Sequence, residues 1–322
     1  MTVLGSSDLD VFPLGLGGNT FGWTSDKNTS FAVLDAYLAG GGNFIDTADS
    51  YSAWVPGNSG GESETIIGEW TAARGNRDSV IIATKVSRHP KFRGLSRGNV
   101  LAAADASLSR LQTDYIDLYY VHYDDPDVPV AEAAGVFSEL QRAGKIRHVG
   151  LSNYTAPRLR EWLAVAAAEG FAPPVALQPH YNLVERAAYE TSLAPVAAEF
   201  GLGVLPYYSL ASGFLAGKYR GAADHAGAAR QPGATRYLTP TGLAVLAALD
   251  SVAADHGVEP ATVALAWLRA RPQVAAPLAS ARTVDQLPAL LASASLDLAA
   301  DEIEALDKAS AAEQAAARHR DR

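Results

Sequence analysis

The 322-residue chain contains no cysteine, which excludes disulfides, thiolate nucleophiles and cysteine-ligated zinc. It also lacks any uninterrupted apolar run near the roughly 20 residues needed to span a bilayer. The opening Met1-Thr2-Val3-Leu4-Gly5 has no basic region followed by a long apolar stretch. No secretion signal is visible there, and the cytoplasm is the expected location. Positive charge is scarce: 26 Lys and Arg stand against 35 Asp and Glu, a net charge of −9. A chain that repels phosphate backbones overall is a poor nucleic-acid binder, although a local basic pocket for one small phosphorylated molecule is compatible with it. Against these absences, 48% of the residues are hydrophobic and spread along the chain, so a core can be buried without metals or staples. The expected organisation is one domain over residues 1–322, because α/β barrels of this length commonly fold as one. The tail after about 312 is expected to fray.

Short apolar runs alternate with longer amphipathic, alanine-rich stretches. The runs are Pro13–Gly18, Asn43–Asp46, Val80–Lys85, Tyr115–His122, Ile146–Ser152, Val175–Gln178, Gly203–Tyr207 and Val274–Pro277. Helical spacing appears over Ser30–Ala39, Leu101–Leu111 and Ala131–Ala143, with Gly40-Gly41-Gly42 and Gly144 as stops. Thr155 before Pro157 reads as an N-cap, and Glu259-Pro260 opens a further helix. Strands that are apolar throughout, separated by helices, imply a parallel sheet covered on both faces. About eight such units predict a closed (β/α)8 TIM barrel. A hairpin through Val3–Gly5 and Leu9–Val11 should precede it and a C-terminal helix should follow. Residues Ser209–Pro240 have no clear period, and the stretch reads as a mobile functional loop.

In such a barrel, polar residues at the C-terminal ends of strands mark an active site. Those ends here carry Asp46, Lys85, His122, Asn153, Gln178 and Tyr207. A structural barrel has no need of Lys85 at the end of Val80-Ile81-Ile82-Ala83-Thr84, so the convergence points to an enzyme. Gly15-Leu16-Gly17-Gly18-Asn19-Thr20 lacks a third spaced glycine and opens no helix, so a Rossmann fingerprint fails. Only Asp46 and His122 on the rim qualify as metal ligands, too few for a metal-dependent hydrolase or isomerase, and no metal is expected.

Asn43-Phe44-Ile45-Asp46-Thr47-Ala48-Asp49-Ser50-Tyr51 resembles the aldo-keto reductase signature, with its Asp and Tyr about five residues apart after the second strand. Ala83-Thr84-Lys85 and Tyr119-Tyr120-Val121-His122 match the family's catalytic Lys and His. Gly150 to Tyr154 and Gln178 to Asn182 match its cofactor-binding strand ends. Ser209 to Gly213 and Leu215 to Tyr219 are similar to the subgroup of potassium-channel β subunits and bacterial general aldo-keto reductases. The similarity runs along essentially the whole chain. It implies a tetrad of Asp46, Tyr51, Lys85 and His122 and a nicotinamide cofactor. Ser152, Asn153 and Gln178 are implied at the carboxamide, Tyr207 stacked on its ring, and Gly18 and Asn19 beneath it. Ser209, Leu210, Gly213 and Lys218 are implied at the pyrophosphate, and Ser280, Arg282 and Gln286 at the adenosine end. Arg282 suits a 2′-phosphate, so NADPH is expected ahead of NADH. Leu290 stands where the family often has Asn, which argues for a lost adenine contact.

Carbonyl reduction needs a hydride on carbon and a proton on oxygen. A free phenol with a pKa of about 10 is a sluggish acid, so Lys85 is expected to lower the pKa of Tyr51, with Asp46 holding Lys85 and His122 orienting the carbonyl. Singly, each residue has a bland explanation: the chain has 13 tyrosines and 7 histidines. His180 reads as structural, and His89, His148, His225, His256 and His319 lack supporting context. Trp23 and Trp54 are candidate pocket walls, with surface packing as the alternative. The expected partner is a small carbonyl or alcohol, acting on a monomer or homo-oligomer. The competing reading is a cofactor-binding regulatory protein similar to channel β subunits.

Overall fold

The computed structural model describes residues 1–221 and 231–320. Its centre is an eight-stranded parallel sheet: β1 (Gly15–Gly17), β2 (Phe44–Asp46), β3 (Ile81–Val86), β4 (Ile116–Val121), β5 (Ile146–Ser152), β6 (Pro174–Gln178), β7 (Gly203–Val204) and β8 (Leu278–Ala279). From β2 to β7 each strand pairs with its predecessor, and β8 pairs with β1. A parallel bridge from Val204 to Val274 and the bond from Ala275 N to Val204 O, 2.9 Å, join the two remaining edges. The sheet is thereby a closed α/β barrel with no exposed edge.

The eighth strand departs from the expected Val274–Pro277. That segment bonds to Val204 at the end of β7, and regular pairing with β1 begins only at Leu278. Pro277 has no N–H to give to a ladder, which separates the two pairings. The expected run Gly203–Tyr207 likewise keeps regular pairing only at Gly203–Val204, before Pro206.

The N-terminal hairpin, Thr2–Val3 against Asp10–Val11, is present. Its Leu4, Leu9 and Val11 pack with Phe44, Ala83, Leu118, Tyr120, Ala176 and Leu205, so it plugs the barrel end opposite the C-terminal strand ends. Burying each large apolar side chain there contributes on the order of 1.5–3 kcal/mol. Around the barrel lie helices including α1 (Lys27–Ala39), α2 (Glu62–Arg74), α3 (Arg97–Leu111), α4 (Val130–Arg142) and α5 (Ala156–Glu169). Thr155 caps α5 by accepting from Arg158 N, and Gly144 follows α4 in the left-handed region. A C-terminal helix covers Ala300–Arg320.

Elements that escaped the sequence reading include α2, the helices Pro240–His256, Ala194–Glu199 and Leu287–Leu291, and a hairpin of Arg88–His89 against Phe92–Arg93 just after β3. The Ser209–Pro240 stretch is not one open loop. It holds a helical turn at Ala211–Ala216 and a short helix at Gln231–Thr235. Its remaining part, 222–230 with His225, lies outside the described residues, as does the tail's side-chain detail from 312, His319 included. No described helix is long and apolar enough to cross a membrane.

Candidate active site

The strand ends bring the expected tetrad together. Lys85, in β3, is completely buried, and its ammonium donates to three acceptors: Asp46 Oδ2 at 2.6 Å, Thr47 O at 2.8 Å and Tyr51 Oη at 3.2 Å. A buried ammonium is tolerable only when all its N–H bonds are used, and here three acceptors match three donors. Asp46 ends β2 and accepts a second bond from Gln178 Nε2 of β6, 2.8 Å. Gln178 O in turn accepts from Ser152 Oγ of β5, 2.9 Å. Tyr51 rides on the loop after β2, where Ser52 Oγ donates to Phe21 O and Asn58 Nδ2 donates to Ser52 O and Gly22 O. His122 follows β4 directly, its ring centre 6.2 Å from that of Tyr51.

The electrostatics correct one expectation. The charge of Lys85 is not enough to bring the Tyr51 phenol below its ordinary value. Burial, and then the negative charge of Asp46, hold it well above the ordinary tyrosine value. Burial is the larger cause, and Asp46, 2.6 Å from the ammonium, offsets the Lys85 charge at the phenol. Burial also draws Lys85 down, with Asp46 opposing. His122 is pushed well below the ordinary histidine range by burial and by the charges of Lys85 and Arg88. Its Nδ1 is buried without a partner. The site therefore presents a protonated phenol, an uncharged imidazole and an ammonium–carboxylate pair.

Further out, Asn153 donates to His122 O (2.9 Å) and Ser152 Oγ (3.0 Å) and accepts from Tyr207 Oη (2.7 Å). It adopts the left-handed region, φ 55°. Tyr207 stacks on His180 at 5.3 Å, so His180 buttresses it, in keeping with a structural part. Trp23 and Trp54 meet edge to face at 5.5 Å, with Trp54 also against Tyr51 at 6.2 Å. Both tryptophans thus stand beside the tetrad.

A cleft of about 510 Å³ runs outward from the rim, lined among others by Asn19, Ser209, Leu210, Gly213, Lys218 and Ser280, with Arg282 and Gln286 at its far end. Ser280 Oγ donates to Asn19 Oδ1 at 2.7 Å, and Gln286 Oε1 accepts from Arg282 N at 2.8 Å. Gly17 has no room for a side chain, since a Cβ there would lie 2.6 Å from Ser280 Oγ. Tyr208, Ala211, Ser212 and Gly213 all have positive φ, a cluster of strained backbone conformations of the kind that makes anion-binding concavities. Hydroxyls, such a turn and two cations along one cleft fit a dinucleotide in their chemistry. Leu290 and two acidic residues, Glu259 and Asp285, line the same cleft.

Sequence reasoning missed Tyr123, Tyr208 and Arg88 near the tetrad, and Asp49 behind it. Tyr123 was within reach, since it follows His122 and its ring lies 5.2 Å from it. Asp49 is fully buried with no partner for either oxygen, and burial together with the nearby Glu64 holds its carboxyl well above the usual range. His148 and His256 sit in pairs with Asp8 and Glu302.

A closed parallel barrel with its polar cluster on the C-terminal rim is the architecture of a barrel enzyme. A model described as "Aldo/keto reductase family" matches residues 13–311. The chain is 37% identical to Protein tas of Escherichia coli strain K12, over 93% of this chain and 95% of that protein. It is 36% identical to uncharacterized oxidoreductase YrpG of Bacillus subtilis (89% and 88% covered) and 32% identical to norsolorinic acid reductase B of Aspergillus parasiticus (94% and 82%). The chain belongs to the aldo/keto reductase family and is an oxidoreductase.

Proposed function

We propose that the protein reduces aldehydes or ketones to alcohols, reversibly, with NADPH in preference to NADH. The observation that carries this is the bond network in which Lys85 joins Asp46 to the hydroxyl of Tyr51 beside an uncharged His122. A neutral imidazole far below its ordinary pKa is a hydrogen-bond donor and a poor proton source at pH 7. Tyr51, held protonated, is the group that gives up a proton as charge develops on the carbonyl oxygen. Lys85 then stabilises the resulting phenolate at 3.2 Å, while Asp46 and Gln178 keep the ammonium in place. His122 orients the carbonyl and shares the developing charge. The nicotinamide, when bound, supplies the hydride.

Ser152, Asn153 and Gln178 are assigned to the carboxamide, with Gly18 and Asn19 beneath. The turn at Ser209, Leu210 and Gly213, together with Lys218, is assigned to the pyrophosphate. Arg282, with Ser280 and Gln286, takes the 2′-phosphate: its guanidinium has no ion pair among the described residues and faces the cleft. Leu290 offers the adenine an apolar wall in place of an amide contact. A panel of aliphatic and aromatic aldehydes, followed by NADPH oxidation and repeated with NADH, tests the assignment. Reduction with NADPH at the lower KM is expected. Tight NADPH binding without oxidation across the panel would overturn it in favour of a cofactor-binding regulatory role, and reduction with NADH alone would overturn the part given to Arg282.

A further inference from the structure

Above the tetrad the surface is aromatic and, on one side, cationic. Trp54, Tyr123 and Tyr208 are 51%, 36% and 52% exposed, and Phe200 is the one other large aromatic side chain left so open among the described residues. Exposed aromatics scattered singly need no explanation, but three at one mouth mark a binding surface. Arg88 lies over the Tyr123 ring at 4.1 Å, and Tyr123 adjoins His122. Arg88 is thus the cation on the substrate side of the tetrad.

The hairpin that carries Arg88 is set deliberately against the site. Ser87 takes φ 108°, a strained value for a residue with a side chain, and exchanges bonds with the Tyr123 backbone, accepting from N at 3.1 Å and donating to O at 3.2 Å. Arg88 is registered directly opposite Arg93 on the partner strand, so both sit on one face of the ribbon. Like charges in that relation repel, and neither guanidinium has a carboxylate partner among the described residues. Of the acids that follow Tyr123, Asp124 holds Arg158 at 2.7 and 2.9 Å and Asp125 accepts from the backbone of Leu95 and Asp127, while Asp127 is exposed; none forms an ion pair with Arg88 or Arg93 among the described residues. Across the mouth, by contrast, Arg236 is paired with Glu185. In a chain of net charge −9, two unneutralised arginines side by side at the entrance to the tetrad form a place for an external anion.

We infer that the substrate is a carbonyl compound with a flat apolar body and a separate anionic group. Trp54, Tyr123 and Tyr208 cover the body, and Arg88, backed by Arg93, takes the carboxylate. This rests on reading the tetrad as a carbonyl-reducing site. The test compares 4-carboxybenzaldehyde with its neutral methyl ester, by kcat/KM with NADPH, in the wild type, Arg88→Gln and an Arg88→Gln/Arg93→Gln double variant. Both positions are exposed, so folding should survive. The wild type should prefer the carboxylate by about tenfold, the scale of one charge-assisted contact at a solvated rim. The preference should shrink towards unity in Arg88→Gln and vanish in the double variant and in high salt. Equal use of acid and ester by the wild type, or a preference that survives in the double variant, would overturn the inference. If neither aldehyde is reduced, the carbonyl-reductase reading fails instead, and binding still decides this one. Tryptophan fluorescence titrations with 4-(hydroxymethyl)benzoate and its methyl ester should show tighter carboxylate binding that Arg88→Gln removes; indistinguishable affinities would refute it.

Discussion

The tetrad and the mouth above it use similar residues, aromatics and long cations, but hold them in opposite ways. At the strand ends Lys85 has an acceptor for every N–H, and Asp46 has partners on both oxygens. At the mouth Arg88, and along the neighbouring cleft Arg282, carry no carboxylate, and the tyrosines and Trp54 stand open. Interior charges must be satisfied before any ligand arrives, because an unpaired buried ion costs several kcal/mol. Rim charges stay hydrated at little cost and can be completed by a ligand. Chemistry and recognition are thereby separated: the centre is preorganised, and the surroundings are left for the ligands to finish.

Removing the cation at the centre should do the most damage. Lys85→Met leaves Asp46 buried without its counter-charge, a change worth about 3–5 kcal/mol. Thermal denaturation should show a drop of several degrees, and turnover should fall at least about a hundredfold. Removing a cation at the edge should be far milder. Arg282→Leu is expected to raise the KM for NADPH on the order of tenfold, with the KM for NADH and the melting temperature nearly unchanged. A comparable rise in both KM values would place Arg282 outside the 2′-phosphate site.

The smallest effect concerns Asp49, a buried carboxyl that, unlike Asp46, has no cation bonded to it. Its folded-state pKa is raised above the unfolded value, so the folded protein holds this proton the more tightly. The associated stability is complete below the ordinary carboxylate pKa, about 3.9, and is lost as pH rises through the raised folded value. Asp49→Asn keeps a neutral group there at every pH. As pH rises from about 4, its melting temperature should fall by less than that of the wild type. Parallel curves would show that Asp49 stays charged in the fold.

Much of this contrast was legible in the sequence. Strands buried on both faces are apolar end to end, so the barrel's order could be read from runs such as Val80–Thr84, and a lysine closing such a run needed an explanation. The parts that were not legible depend on distance or on distant partners. Helix α2 begins Glu62-Ser63-Glu64, which looks like surface. Glu64 is nevertheless fully buried, because Thr84 and Arg110 reach it from far along the chain at 2.5 and 2.6 Å. The Arg88–Arg93 hairpin has strands of two residues each, too short for any period, and is set by the backbone of Ser87. The direction of the Tyr51 shift depends first on how deeply the phenol is buried and then on how close Asp46 lies, which spacing alone does not give.

The central claim is that Tyr51 is the proton donor of a site otherwise complete without it. It is tested most directly by Tyr51→Phe, measuring single-turnover reduction of an aromatic aldehyde alongside NADPH affinity. The rate should fall by about 10³-fold or more, with NADPH binding within about twofold of wild type. Reduction at an undiminished rate would contradict it.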